Sequence, residues 1–261
     1  MNVSRALETA RFLKEHHHDK GQVPNYENVL EAAYRHFLKP GDNVIDIGAH
    51  GGRHTRIFRD LIGDTGGIWA FEPLPHMAEH LRSSFASQSN VHVFEIALSD
   101  KVTNTVYKFV SNAPEESGLR ERIYNIDDPI IQDINVNVST ADRILAAIDR
   151  IDYIKIDIEG GEIDCLKGMN SVLAKHQPFL SIEYGFPSYS KYDNTNMTLW
   201  DMAQQLGFHI SDLFGNIVED AEEWVEVCDH AYWDFFLVPI GRRSEWSAIF
   251  SSSNFPSDFS I

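Results

Sequence analysis

Cysteine is nearly absent from this 261-residue chain. Cys165 and Cys228 are the only two, far apart and without C-x-x-C spacing, which leaves no basis for a disulfide framework or a structural zinc site. The run His16, His17, His18 would fan out to different faces of a helix, so no metal site is assigned. No apolar run is long enough to span a bilayer, and the N-terminus lacks the basic-then-apolar layout of a secretion signal. A membrane partner is therefore not expected, and the expected compartment is cytoplasmic. Basic residues are scarce, 22 Lys and Arg against 39 Asp and Glu, for a formal net charge of −17. A surface of that sign repels phosphate backbones, which argues against nucleic acid and for a small-molecule partner. Also missing are internal repeats and the G-x-G-x-x-G fingerprint of a pyrophosphate site.

What is present is an alternation of strand and helix. A composition that is 43% hydrophobic supports a sizeable core. Residues 1–40 carry two helical apolar patterns, one through Ala6, Leu7, Ala10 and Leu13, the other through Tyr26, Val29, Leu30, Ala33 and Tyr34, and predict an N-terminal helical cap. Pro40-Gly41 closes it. Residues 41–261 then read as one α/β domain. Strands are predicted at 44–47, 68–71, 91–97, 151–156 and 179–182, with helices at 55–62, 77–85, 163–174 and 199–206, and a final strand pair at 208–213 and 232–238. Such alternation implies a mostly parallel sheet with helices on both faces, and a ligand at the carboxyl ends of the strands. The interval 100–140 breaks the rhythm. Residues 102–110 could pair with Val136 and Val138, and the acidic stretch 111–133 between them is expected to act as a mobile lid or, failing that, as a surface loop.

Three signals carry chemistry. Asp46-Ile47-Gly48-Ala49-His50-Gly51-Gly52 follows the first strand, where glycines let the backbone pass close to a ligand without phosphates. The alternative is a tight turn with no ligand. Glu72 ends the second strand, where a carboxylate can accept from both hydroxyls of a ribose. Asp157, Glu159 and Glu162 follow the fourth strand in Ile154-Lys155-Ile156-Asp157-Ile158-Glu159-Gly160-Gly161-Glu162. Acids here could hold an ammonium, accept a proton or bind a divalent metal, or they could simply cap the next helix. Glu162 suits the capping role; Asp157 and Glu159 are the functional candidates. His50 is a candidate for facing the reacting group, and His54 follows the same turn. Phe186, Tyr189, Tyr192, Trp200 and Trp233 divide between core and rim in a way the sequence does not sort.

VIDIGAHGGRHT, AFEP, EIALSD, STADRIL, YIKIDIEGGEIDCLKG and LSIEY, in this order over residues 43–183, resemble the FkbM family of methyltransferases. The resemblance implies a class I Rossmann-like fold, S-adenosylmethionine as cofactor, and O-methylation of a hydroxyl on a sugar or small natural product. Matched position by position, Asp46, Gly48, His50 and Gly52 resemble the first cofactor loop and Glu72 the ribose acid. Ala97, Leu98 and Asp100 resemble the segment beside the adenine, and Asp157 and Glu159 fall in the signature after the fourth strand. Asp157, Glu159 and His50 are the catalytic candidates. A nicotinamide-dependent dehydrogenase and a non-catalytic Rossmann-like module remain the competing readings.

Overall fold

A computed structural model describes residues 4–21 and 23–251. The chain opens with α1 (Arg5–His16), α2 (Tyr26–Arg35), β1 (Asn43–Ile47), α3 (Arg53–Ile62), β2 (Gly67–Phe71), α4 (Pro75–Ser84) and β3 (Val91–Phe94). Next come β4 (Ala97–Leu98), β5 (Thr103–Val110), β6 (Ile131–Ser139), α5 (Ala141–Ile144), β7 (Tyr153–Ile156), α6 (Glu162–Lys167) and α7 (Asn170–His176). It closes with β8 (Phe179–Glu183), α8 (Phe186–Tyr189), α9 (Asn196–Leu206), β9 (Phe208–Ser211), α10 (Ala221–Val227), β10 (Asp234–Pro239) and α11 (Arg243–Ser251).

Seven strands form one sheet in the order β3-β2-β1-β7-β8-β10-β9. All its pairings are parallel except those of β10, which runs antiparallel to β8 and β9. Successive crossovers lead away from β1 in opposite directions, and right-handed connections therefore put their helices on opposite faces. The order reverses between β1 and β7, which opens a crevice where their carboxyl ends part. β1 and β7 are buried along nearly their whole length, with apolar residues on both faces and Asp46 and Lys155 as the charged exceptions.

The N-terminal helices are built into this core. Asn25 caps α2 by accepting from the Asn28 N–H at 3.1 Å, and Val29, Leu30, Ala33 and Tyr34 are buried on one face. The Tyr34 ring lies edge-on to Phe58 of α3 at 4.9 Å and packs against Tyr153 of β7. Burying side chains of this size contributes about 2 kcal/mol each. His17 is buried and His18 bonds the Tyr26 hydroxyl; the His16 side chain lies outside the described residues.

Three elements differ from the sequence expectation. The strand predicted at 91–97 breaks after Phe94, and Ala97 and Leu98 leave the main sheet to pair with β6. The helix predicted at 163–174 divides at Gly168, where a Cβ would sit 2.0 Å from the Ser99 carbonyl oxygen; a continuous helix with a side chain there would collide with β4. The interval 100–140 forms a long antiparallel ribbon, β5 against β6, with residues 111–130 folded back across its end. Among the described residues, no helix is long and apolar enough to cross a membrane.

Candidate active site

At the carboxyl ends of β1, β2, β7 and β8 lies a cavity of about 560 Å³, within the usual range of small-ligand sites. Its first wall is the turn after β1. Gly48 has φ +85°, and a Cβ there would stand 1.7 Å from the Asp157 carbonyl oxygen, so only glycine lets the ends of β1 and β7 come this close. His50 follows at φ +45°, held by its N–H donating to Glu72 Oε2 at 2.9 Å. Its ring lines the cavity, and Nε2 is buried without a protein partner. Burial pushes the imidazole below its ordinary pKa, against the pull of Glu115 and Asp157, which keeps it neutral.

Glu72 is 3% exposed. Its other oxygen accepts from the Leu74 N–H at 2.8 Å, and burial raises the carboxyl to about 7 despite these two backbone donors. Ala97 and Leu98 line the same cavity beyond it. Tyr107 of β5 also faces the cavity and donates to the Ser117 carbonyl at 2.8 Å, which ties the ribbon to the residues that fold back over the site.

β7 supplies the charged floor. Lys155 is 2% exposed, and its Nζ lies 2.7 Å from Asp157 Oδ2. Burial raises Asp157 most, but the Lys155 ammonium, together with Glu183 and His54, outweighs it and holds the carboxyl well below the usual range. The chain then turns through Glu159 at φ +61° and Gly160 at φ +113°, where the Tyr192 ring packs against Gly160 and leaves no room for a side chain. Glu162 holds this turn by accepting from the Gly160 and Ile158 N–H groups at 2.9 and 3.2 Å, so it braces the loop rather than only capping a helix. Glu159 faces the cavity but is paired with Arg122, a buried guanidinium from the 111–130 segment, and Ser188.

The cavity therefore brings together Gly48, His50, Glu72, Ala97, Leu98, Asp157 and Glu159. It does not bring in Asp46, Gly52 or Asp100. Asp46 lies behind the turn, 0% exposed, accepting from Thr55 Oγ1 at 2.5 Å. Gly52 faces α4, where a Cβ would meet Leu81 at 2.7 Å. Asp100 is exposed beyond the end of β4.

Sequence reasoning missed several groups. Glu183 ends β8 and lines the cavity; its place at the end of an apolar strand was a usable signal. Lys155 sits inside a quoted motif, but nothing in the sequence tells that its long side chain turns back to Asp157. Glu27 reaches the cavity from α2 and bonds His54 Nε2 at 2.7 Å, while His54 Nδ1 meets the Tyr34 hydroxyl at 3.1 Å. That contact joins positions 27 residues apart and has no local signature. Asp157, Glu159 and Glu183 bring carboxylate oxygens within 4.8 Å of one another. Two of the three already face cations, Lys155 and Arg122, and no metal is assigned to them.

Comparison with known proteins gives this geometry its setting. A curated relative, the ribosomal RNA large subunit methyltransferase E of Xanthomonas euvesicatoria, is 33% identical over 132 residues, 44% of this chain and 61% of the relative. The 2-O-methyltransferase NoeI of Sinorhizobium fredii is 25% identical over 159 residues, 56% of this chain and 64% of the relative. The chain thus spans about three fifths of these curated relatives. The crystal structure of an FkbM methyltransferase from Methylobacillus flagellatus overlays with a TM-score of 0.48 at 16% identity, covering 76% of this chain and 43% of that one. The model described as the methyltransferase FkbM domain matches residues 46–210, from the end of β1 into β9. A match over most of the chain, running through every strand end that lines the cavity, makes this protein a member of the FkbM methyltransferase family.

Proposed function

We propose that the cavity binds S-adenosylmethionine and that the chain transfers its methyl group to a hydroxyl of a sugar or another small natural product. The observation that carries this reading is that the glycine turn after β1, the buried Glu72, the apolar Ala97 and Leu98, and Asp157 all face one cavity. These groups fit the ligand part by part. Gly48 and His50 leave backbone beside an amino-acid end, Glu72 keeps lone pairs for ribose hydroxyls, and Ala97 with Leu98 offers a flat apolar wall to a base.

When bound, S-adenosylmethionine supplies an electrophilic methyl group on a cationic sulfur. The chain's part is to align the acceptor with it, since displacement at a sulfonium depends chiefly on near-attack geometry. In this reading Asp157, kept ionised by Lys155, faces cationic groups of the ligand. His50, neutral and with Nε2 unpaired, is free to orient the acceptor. Glu159 acts through Arg122, holding the 111–130 segment against the cavity. Pro114, Glu115, Ser117 and Leu119 of that segment line it, which supports a lid that shapes the acceptor's side and excludes water.

The names of the ribosomal RNA relatives raise RNA as an acceptor, but a net charge of −17 opposes a polyanion. Calorimetry with S-adenosylmethionine tests cofactor use. Glu72→Ala is expected to weaken binding by about 1.5–3 kcal/mol, the scale of hydrogen bonds to a charged group, and unchanged affinity removes Glu72 from the site. Incubation with radiolabelled methyl donor, on methyl glycosides in one arm and ribosomal RNA in the other, tests the acceptor. Label is expected in a glycoside; label in RNA alone sinks the small-molecule reading.

A further inference from the structure

Glu183 is the carboxyl that the reading above leaves without a task. It ends β8 and lines the cavity, with its carboxylate oxygen within 4.8 Å of those of Asp157 and Glu159. Asp157 is answered by Lys155 and Glu159 by Arg122, whereas among the described residues no salt bridge reaches Glu183. The groups that face it are acidic: Asp157 after β7, Asp234 opposite it in the β8–β10 ladder, and Glu162 at the start of α6. Glu27 and His54 stand further back, around Lys155 and Asp157. Carboxyls this close, with one cation facing Asp157 and none facing Glu183, do not both keep their charge. The pair therefore holds one proton, and the Lys155 ammonium draws the negative charge to Asp157 and leaves the proton on Glu183. Burial and the charges of Asp157 and Asp234 push Glu183 the same way, well above its ordinary range.

We infer that Glu183 is the proton acceptor of methyl transfer, protonated against Asp157 in the unliganded protein and ionised when a sulfonium lies in the cavity. The inference rests on the S-adenosylmethionine reading. A cation placed beside this acidic group favours its charged form, so Glu183 gives up the shared proton to solvent as the methyl donor binds. In the transfer step the acceptor's hydroxyl oxygen bonds to the methyl carbon. The carbon–sulfur bond breaks with its electron pair staying on sulfur, and the hydroxyl proton passes to the Glu183 carboxylate. The sulfur is then neutral and the Asp157–Glu183 pair again holds one proton, so the site returns to its starting charge with each turnover. Glu183 is thus a base only while a cation faces it.

Proton release on binding tests this without an acceptor. Calorimetric titrations at pH 7 in buffers of different ionisation enthalpy would compare S-adenosylmethionine with S-adenosylhomocysteine. The two share ribose and amino-acid groups, so their difference isolates the sulfonium. Wild type is expected to release up to about one proton more with the sulfonium, and Glu183→Gln to show no difference between the two ligands. An undiminished difference in the variant overturns the assignment. Infrared spectra of wild type minus Glu183→Gln, both free of ligand at pH 7, give a second reading that separates Glu183 from the other buried carboxyls. Wild type is expected to carry additional carboxylic-acid C=O intensity, removed by S-adenosylmethionine and kept with S-adenosylhomocysteine. No additional intensity before ligand is added overturns the shared proton, independently of the cofactor. Failure of both nucleosides to bind wild type instead overturns the cofactor reading and the inference with it.

Discussion

The site's chemistry turns on single carboxyls whose surroundings differ by a few ångströms. Glu72 has two backbone donors but no cation, and burial raises it to about 7. Ribose hydroxyls donate best to the ionised form, so affinity for S-adenosylhomocysteine is expected to rise as pH goes from 6 to 8. Glu72→Gln is expected to flatten that dependence. A wild-type affinity that falls over this range contradicts Glu72 as the ribose acceptor. Lys155 lies almost wholly inside, paired with Asp157, whose side chain is 27% exposed to the cavity. Breaking a buried pair costs about 3–5 kcal/mol, and solvent reaching Asp157 lowers that to about 2–3 kcal/mol for Lys155→Met. Denaturant titration measures it, and a variant as stable as wild type would mean that the pair contributes nothing net.

At the scale of elements, the insertion between β4 and α5 is where the structure departs furthest from a plain strand–helix alternation. Its ribbon is fixed by the full β5–β6 ladder, while residues 111–130 are held at their outer end by contacts with other segments. These are Arg122 to Glu159, the Tyr192 hydroxyl accepting from the Arg120 N–H at 3.0 Å, and the Pro187 carbonyl accepting from the Ile123 N–H at 2.9 Å. Few buried apolar side chains back this stretch, which is the profile of a segment that opens locally. Hydrogen exchange in residues 113–126 is therefore expected to be fast in the free protein and slowed most when donor and acceptor are both bound. Arg122→Met is expected to speed it, with β7 unaffected. Protection that ignores the acceptor would remove this segment from acceptor selection.

For the whole molecule, buried carboxyls set the pH response. Glu72, Glu162 and Asp212 each have folded pKa values of about 7, raised first by burial, against about 4 in an unfolded chain. Between these values the folded state keeps protons that the unfolded state has released, so stability falls as pH rises through the window, by up to about 1.4 kcal/mol per pH unit for each group. Asp157 shifts downward and is ionised in both states above pH 5, so it does not offset this trend. The Tm is expected to be lower at pH 7.5 than at 5.5. Added salt should recover part of the loss by screening a net charge of −17. A Tm that rises with pH would show that these carboxyls are not buried in neutral form.

The sequence alone determined the parallel sheet, because strands alternate with helices and the apolar residues of 44–47 and 153–156 fall on both faces of the strand. It also determined that Gly48, His50, Glu72 and Asp157 would meet, because each follows a strand and parallel strands end at one edge. Only the tertiary structure decided which neighbours of those residues reach the cavity. Asp46 and Gly52 lie one or two positions from cavity residues, but they point away from it, since successive side chains around a strand end and turn face opposite sides. Glu27, Arg122 and Glu183 come from α2, the insertion and β8, and their meeting around Asp157 and Glu159 depends on packing between distant segments. The charge state of each acid follows from that packing. Lys155 faces Asp157, backbone N–H groups face Glu72, and another carboxyl faces Glu183, so three acids at three strand ends acquire three different proton affinities.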